Sequence, residues 1–189
     1  SQYHPHFLFN ALNTVYFQID ESNKAPRRTL EMISELLRYQ LYGGNQKVSI
    51  LQEIDYLKTY IALRKLRMSE RLRLRVEFPP ELNELNIYPL LFLPLVENAF
   101  KYVGGDYQLD IIMKWENNRI SLFIRNSIPE LSAEDEALRK SVDERQRKGI
   151  GLVNLRRRLS LLYPSKHRLE TRKEETEFVA ELMIEIEEI

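Results

Sequence analysis

Leu72-Arg73-Leu74-Arg75-Val76-Glu77-Phe78 is the stretch at which the periodicity of this chain changes. Apolar and charged residues alternate one for one, the pattern of a strand with one face buried. Everything before it repeats at helical intervals. Leu8, Leu12, Val15 and Ile19 form a seam suited to packing on another helix. After the polar break Glu21-Ser22-Asn23, a second helical stretch runs from about Ala25 to Tyr42. It carries Leu30, Ile33, Leu36 and Leu37 on one side and ends at Gly43-Gly44-Asn45. Ser49 and Gln52 have the capping-box spacing and open a third helix, with Leu51, Ile54, Leu57 and Ile61, that fades near Met68.

Beyond the switch, Pro79-Pro80 stops the strand. Pro94 belongs in the first turn of the helix that follows, because deeper inside it would break that helix. Leu109, Ile111 and Met113 alternate, as do Ile120, Leu122 and Ile124, and Asn117-Asn118 between them predicts a hairpin turn. Residues 128–148 are polar, charged and free of glycine, the composition of a long loop or lid. A helix over about 152–162 and a hairpin of strands near 168–172 and 177–186 close the chain. Helices first, then mixed elements with hairpins, predict an α+β fold rather than a doubly wound parallel sheet. The expected division is a helical region over residues 1–68 and a second domain over 69–189.

The bulk composition narrows the function. The 28 basic and 28 acidic residues cancel, so no global field favours nucleic acid or an anionic membrane. Phosphate recognition must then be local. The absence of cysteine excludes disulfides and thiolate metal sites and fits a reducing cytosol. The longest apolar stretch, from Tyr88 to Val96, is about half of what a bilayer-spanning helix needs. The chain opens with Ser1 inside a helical pattern, and we read it as a soluble, cytoplasmic fragment of a longer protein.

Three motifs occur in order: His4-Pro5-His6-Phe7-Leu8-Phe9-Asn10 near the start, Pro94-Leu95-Val96-Glu97-Asn98-Ala99-Phe100-Lys101 in the middle, and Gly149-Ile150-Gly151-Leu152-Val153-Asn154 later. Together they resemble the LytS/YehU-type sensor histidine kinases, whose transmitter carries P-H-F-L-F-N, an N-box of P-L-V-E-N-A type and a G-x-G-L glycine box. The resemblance covers nearly the whole chain. It implies a helical dimerisation and phosphoacceptor region, followed by a Bergerat-type GHKL α/β sandwich with a mixed sheet.

Two residues along an ideal helix correspond to a rotation of about 200°, so His6 faces away from the seam that Leu8 begins. Asn10 and Asn13 share its polar side. At neutral pH much of a histidine is uncharged, which leaves a ring-nitrogen lone pair free to attack. The resemblance makes His6 the phosphorylated residue, with His4 and His167 as ordinary surface histidines. Many better-known kinases place an acidic residue directly after the phosphoacceptor, where this chain has Phe7. A general base then comes from elsewhere, and Glu97 is the candidate.

Phosphoryl transfer is mainly positioning and charge neutralisation. Mg²⁺ prefers oxygen ligands and takes few from protein, a role that suits the side-chain oxygen of Asn98 and that the family gives it. Lys101, on nearly the same face, can pair with phosphate oxygens as a point charge. Tyr102 stands where the family often has histidine. Gly149 and Gly151 let backbone amides approach phosphates closely, and the helix that begins there, with Leu152, adds its positive end. Arg145, Arg147 and Lys148 either close over the phosphates or form an ordinary solvated surface. Where related ATPases carry D-x-G to read adenine, the alternation puts Asn126, Ser127 and Ile128. Asn126 can still accept a hydrogen bond from an amine, without the charge that strengthens it.

The expectation is therefore the transmitter of a membrane sensor kinase at the cytoplasmic face of the inner membrane. It uses ATP and Mg²⁺ to phosphorylate His6 and passes the group to an aspartate of a response regulator, of LytTR type by resemblance. A homodimer is expected, with no direct contact to nucleic acid and membrane attachment only through a region upstream. The rivals are a nucleotide-binding pseudokinase without phosphoryl transfer, motivated by Asn126, a GHKL ATPase that drives conformational change, and a purely helical scaffold.

Overall fold

The computed structural model describes residues 4–80, 82, 85–130 and 150–187. Three helices open the chain: α1 (Pro5–Gln18), α2 (Lys24–Tyr42) and α3 (Ile50–Lys65). The short strand β1 (Val48–Ser49) lies between α2 and α3. There follow β2 (Arg73–Glu77), β3 (Asn86–Ile87), α4 (Leu93–Tyr102), β4 (Gln108–Glu116), β5 (Arg119–Ser127), α5 (Ile150–Leu162), β6 (His167–Lys173) and β7 (Glu177–Glu185). Among the described residues no helix is long and apolar enough to cross a membrane.

Five strands form one mixed sheet in the order β2-β4-β5-β7-β6. The β2–β4 pair is parallel and the remaining pairs are antiparallel. The alternation read from the sequence sets the inner face. Ile111 lies opposite Ile124, which lies opposite Ala180, and Met113 opposite Leu122 and then Leu182. All are buried under Ile54, Leu57 and Ile61 of α3, Val96 and Phe100 of α4, and Leu155 and Leu159 of α5. Full burial of one such leucine or isoleucine contributes about 1.5–3 kcal/mol. The arrangement is an α+β sandwich of helices on one sheet face, as the pattern predicts.

Local chemistry fixes the joints. Asn117 and Asn118 have φ of 52° and 58°, the left-handed pair that a tight two-residue hairpin requires. The capping box at α3 is complete: the Gln52 amide donates to Ser49 Oγ at 3.2 Å and the Ser49 amide to Gln52 Oε1 at 3.1 Å. The sequence pattern did not reveal β1 and β3, which pair antiparallel and bring the start of α3 beside the segment ahead of α4. Two residues each are too short for a periodic signal.

α2 packs on α3 and the start of α4 through Leu36, Tyr56 and Leu93, with Tyr39 stacked on Tyr56 at 4.7 Å between centroids. α1 leans on α2 with Leu8, Phe9, Leu12, Tyr16 and Ile19 half-buried. Val15 departs from the predicted seam and is exposed. Tyr16 takes its place, donating to Glu31 at 3.2 Å beneath the Arg27 guanidinium.

Candidate active site

Helix α4 divides its residues cleanly. Leu95, Val96, Ala99 and Phe100 are buried, and Pro94 occupies the first turn, where a missing N–H costs nothing. Asn98 is left half-buried, with Lys101 and Tyr102 exposed beyond it. The Lys101 ammonium lies 5.1 Å from the Tyr102 ring centroid. Glu97 turns toward Tyr60 and Arg64 of α3. Glu97 stands at the surface, yet partial desolvation raises its carboxyl above the ordinary carboxylate range, and the Arg64 guanidinium opposes this. A carboxylate raised in this way is better suited to hold a proton than an ordinary surface glutamate.

The C-terminal end of α4 is tied to the end of β5. The Gly104 amide donates to the Ser127 carbonyl at 2.9 Å, and Ser127 Oγ donates back to the Gly104 carbonyl at 2.7 Å. Ser127 Oγ also accepts from the Gln108 amide at 2.8 Å. Beside it Asn126 is 1% exposed, and its amide nitrogen reaches the Ser127 carbonyl at 3.3 Å. A glycine at 128 proves unnecessary for the local turn. The close approach comes from the opposite side, where Gly105 has φ 61° and a Cβ there would meet the Ile128 carbonyl oxygen at 2.9 Å.

Helix α5 is anchored at its far end. Arg158 donates to the Pro89 carbonyl at 3.0 Å and the Leu90 carbonyl at 3.3 Å, and the Tyr163 hydroxyl accepts from the Tyr88 amide at 3.1 Å. These bonds hold the C-terminal half of α5 at the segment that leads into α4. Among the described residues a Cβ at Gly151 would meet no atom within 4 Å, so their packing does not demand this glycine. Lys148, Gly149 and the basic residues Arg145 and Arg147 lie outside the described residues, as does residue 131 onward of the predicted lid.

His6 stands apart from this constellation. Pro5 starts α1 and His4 is its N-cap residue, which leaves His6 exposed in the first turn with Asn10 and Asn13 exposed along the same side. Among the described residues no hydrogen bond or ion pair joins His6 to α4, β5 or α5.

Asn98, Lys101 and Tyr102 share α4, which packs on both β5, with Asn126 near its end, and α5, with Gly151 and Leu152 in its first turn; a neutral oxygen, an ammonium and a helix N-terminus suit a phosphate-bearing ligand. Among the described residues no group of three or more His, Cys, Asp or Glu forms a cation cage. That donor set fits Mg²⁺ taken up with its phosphates through one side-chain oxygen. Glu53 belongs to none of the three motifs, yet it is 0% exposed. Its signal was present: a glutamate on the same stripe as Ile50, Ile54 and Leu57.

Residues 1–72 match the family model described as Histidine kinase. Over 173 residues the chain is 30% identical to the sensor protein kinase HptS of Staphylococcus aureus, a match that covers 89% of this chain and 33% of that protein. The chain spans about a third of the length of the curated relatives it matches. Among solved structures, full-length ShkA in complex with AMPPNP superposes with a TM-score of 0.52 at 14% identity, covering 96% of this chain and 44% of that one. The histidine kinase domain of the blue-light activated kinase EL346 from Erythrobacter litoralis gives 0.50 at 13% identity, covering 98% and 89%. At these identities the structural likeness is one of fold. Together with the P-H-F-L-F-N helix and the N-box on α4, these matches make the chain similar to the histidine kinases of LytS/YehU type.

Proposed function

We propose that this chain is the transmitter of a two-component sensor kinase, which phosphorylates His6 from ATP and passes the group to an aspartate of a response regulator. The observation that supports the reading is that α4, which carries Asn98, Lys101 and Tyr102, packs on both β5, which carries Asn126, and α5, which carries Gly151 and Leu152. Residues 1–68 serve as the dimerisation and phosphoacceptor region, and 69–189 as the ATP-binding domain. Asn126 accepts from the adenine amine, while Lys101, Lys148 and the amides after Gly149 and Gly151 hold the phosphates, with Tyr102 and Leu152 flanking them. Asn98 holds Mg²⁺, which when bound neutralises charge on the phosphate oxygens.

The His6 ring nitrogen then forms a bond to the γ-phosphorus as the bond to the bridging oxygen breaks, and ADP leaves. The proton on the other ring nitrogen is shed to a base, for which Glu97 is the candidate. Exposure of His6 suits the second transfer, because its ring must next meet a carboxylate on another protein. The partner is a response regulator of LytTR type, the active form is a homodimer, and membrane attachment lies in an upstream region. Acid-labile label from γ-labelled ATP that is lost in His6→Ala and Asn98→Ala but retained in His4→Ala is the expected result. No label from any of them would contradict the reading.

A second reading has one observation in its favour: Asn126 replaces a charged adenine acceptor and is buried. A nucleotide-holding module without phosphoryl transfer would bind ATP and never label His6.

A further inference from the structure

Glu53 joins three elements that the proposed reaction does not otherwise connect. Its Oε1 accepts from the Tyr39 hydroxyl of α2 at 2.6 Å and from the Leu90 amide at 2.8 Å, while its Oε2 is buried without a partner among the described residues. A buried carboxylate with an orphan oxygen is costly, and a helix that needed only packing would be better served by an apolar residue there.

The Leu90 end of this contact is equally unusual. Leu90 has φ 61°, a left-handed conformation that leucine avoids. It is held from both sides, by Glu53 at its amide and by Arg158 at its carbonyl, 3.3 Å away. Arg158 also takes the Pro89 carbonyl at 3.0 Å. Helix α4 begins at Leu93, and its N-cap residue Phe92 provides no side-chain cap. The entry into α4 is therefore set by a clamp from α3 and α5, and Asn98 rides on the same rigid helix. Strained residues held by surrounding structure mark places where geometry has to be exact.

The Tyr39 end connects the clamp to the helical region. Tyr39 stacks on Tyr56, and Gln40 beside it donates to the Tyr56 hydroxyl at 2.6 Å. Helix α2 is in turn the surface on which α1, with His6, rests. A shift of α2 that withdrew the Tyr39 hydroxyl would leave Glu53 with one donor fewer, inside the core.

We propose that Glu53 is a positioning residue for the nucleotide site: through Leu90 it fixes the start of α4 and with it Asn98, and through Tyr39 it makes that position depend on α2. The proposal rests on the kinase reading above and names a route by which the helical region regulates that site.

The test is the affinity of the whole chain for a non-hydrolysable ATP analogue with Mg²⁺, measured by calorimetry beside a thermal melt of each variant. Glu53→Ala and Arg158→Ala should each raise Kd about tenfold, as loss of a positioning contact does. Glu53→Gln, which keeps an acceptor for both donors, should stay within about threefold. Tyr39→Phe should raise Kd about threefold in the native background and have no further effect beside Glu53→Ala, the non-additivity expected of coupled residues. A purely structural role would lower the melting temperature and leave the affinity of the folded protein unchanged, which would overturn the proposal. So would additive effects of Tyr39→Phe and Glu53→Ala. If Glu53→Ala does not fold, Arg158→Ala decides the clamp, and non-additivity of Tyr39→Phe with Arg158→Ala decides the relay. A native chain that binds no nucleotide would overturn the kinase reading and this proposal together. A native chain that binds, with variants that bind equally well, would overturn this proposal alone.

Discussion

Ser127 and Gly104 exchange two hydrogen bonds, amide to carbonyl at 2.9 Å and hydroxyl to carbonyl at 2.7 Å, and so lock the end of the N-box helix to the strand that carries Asn126. The two halves of the proposed nucleotide site, one for phosphate and one for adenine, cannot drift apart while this lock holds. Ser127→Ala removes the hydroxyl and leaves the Gln108 amide short of a partner, while the Gly104 carbonyl keeps only the Tyr107 amide. We expect a loss of about 1–3 kcal/mol in denaturant unfolding, the cost of unsatisfied half-buried groups. Nucleotide affinity should fall severalfold at the same time.

Gly151 should show the opposite trade. It lies in the first turn of α5 with open space, among the described residues, where a side chain would stand. Gly151→Ala should stabilise the fold by up to about 1 kcal/mol through helix propensity. The same methyl group would obstruct close approach of phosphates, so ATP binding should weaken while the melting temperature rises. Calorimetry and a melt on one sample check both signs.

Asn126→Asp would supply the charged acceptor that related sites use. ATP should bind several times more tightly, because a charge-assisted bond replaces a neutral one. Without nucleotide, an aspartate at a position that is 1% exposed should destabilise the chain by about 1–3 kcal/mol. Comparing ATP with GTP shows whether the gain comes from the adenine amine.

Glu53 makes stability depend on pH. Burial raises its carboxyl above the ordinary 4.5, while the bonds from Tyr39 and Leu90 and the charge of Arg158 oppose this. The facing groups are Tyr39 of α2, Tyr56 of α3, and Arg158 and Tyr163 at the α5 end; burial raises all three tyrosines, and Tyr56 reaches about 12. They therefore stay protonated near neutrality. Between 4.5 and the raised value the native state holds a proton that the unfolded state has released. Stability from this group is thus fully present below 4.5 and is lost as pH rises through the folded value, with a slope of at most about 1.4 kcal/mol per pH unit. Glu53→Gln should lack this component, so its stability should gain on the native chain as pH rises. Parallel curves for the two proteins would contradict it.

Most of the framework was legible from the chain itself, because its elements are long enough to show a period. The switch at Leu72–Phe78, the Asn117-Asn118 turn and the Ser49–Gln52 capping box each state their structure within a few residues. The two-residue strands β1 and β3 have no period to read. Val15 fell on the predicted seam yet is exposed, because Tyr16 found a hydroxyl bond and a cation on α2 that a valine cannot make. The motif residues on α4 were recognisable by type and spacing. Glu53, Leu90 and Arg158 were not, because their meaning lies in contacts between residues 37 and 68 positions apart.

The measurement that bears most directly on the central claim is transfer of label from γ-labelled ATP with Mg²⁺ to a chain extended upstream by several helical turns. Native protein, His6→Ala, His4→Ala and Asn98→Ala would be run side by side. Acid-labile label on the native and His4→Ala proteins, absent from His6→Ala, absent from Asn98→Ala and abolished by chelating the metal, is the predicted result. Nucleotide binding without label on the native protein, or label that survives in His6→Ala, would contradict the account.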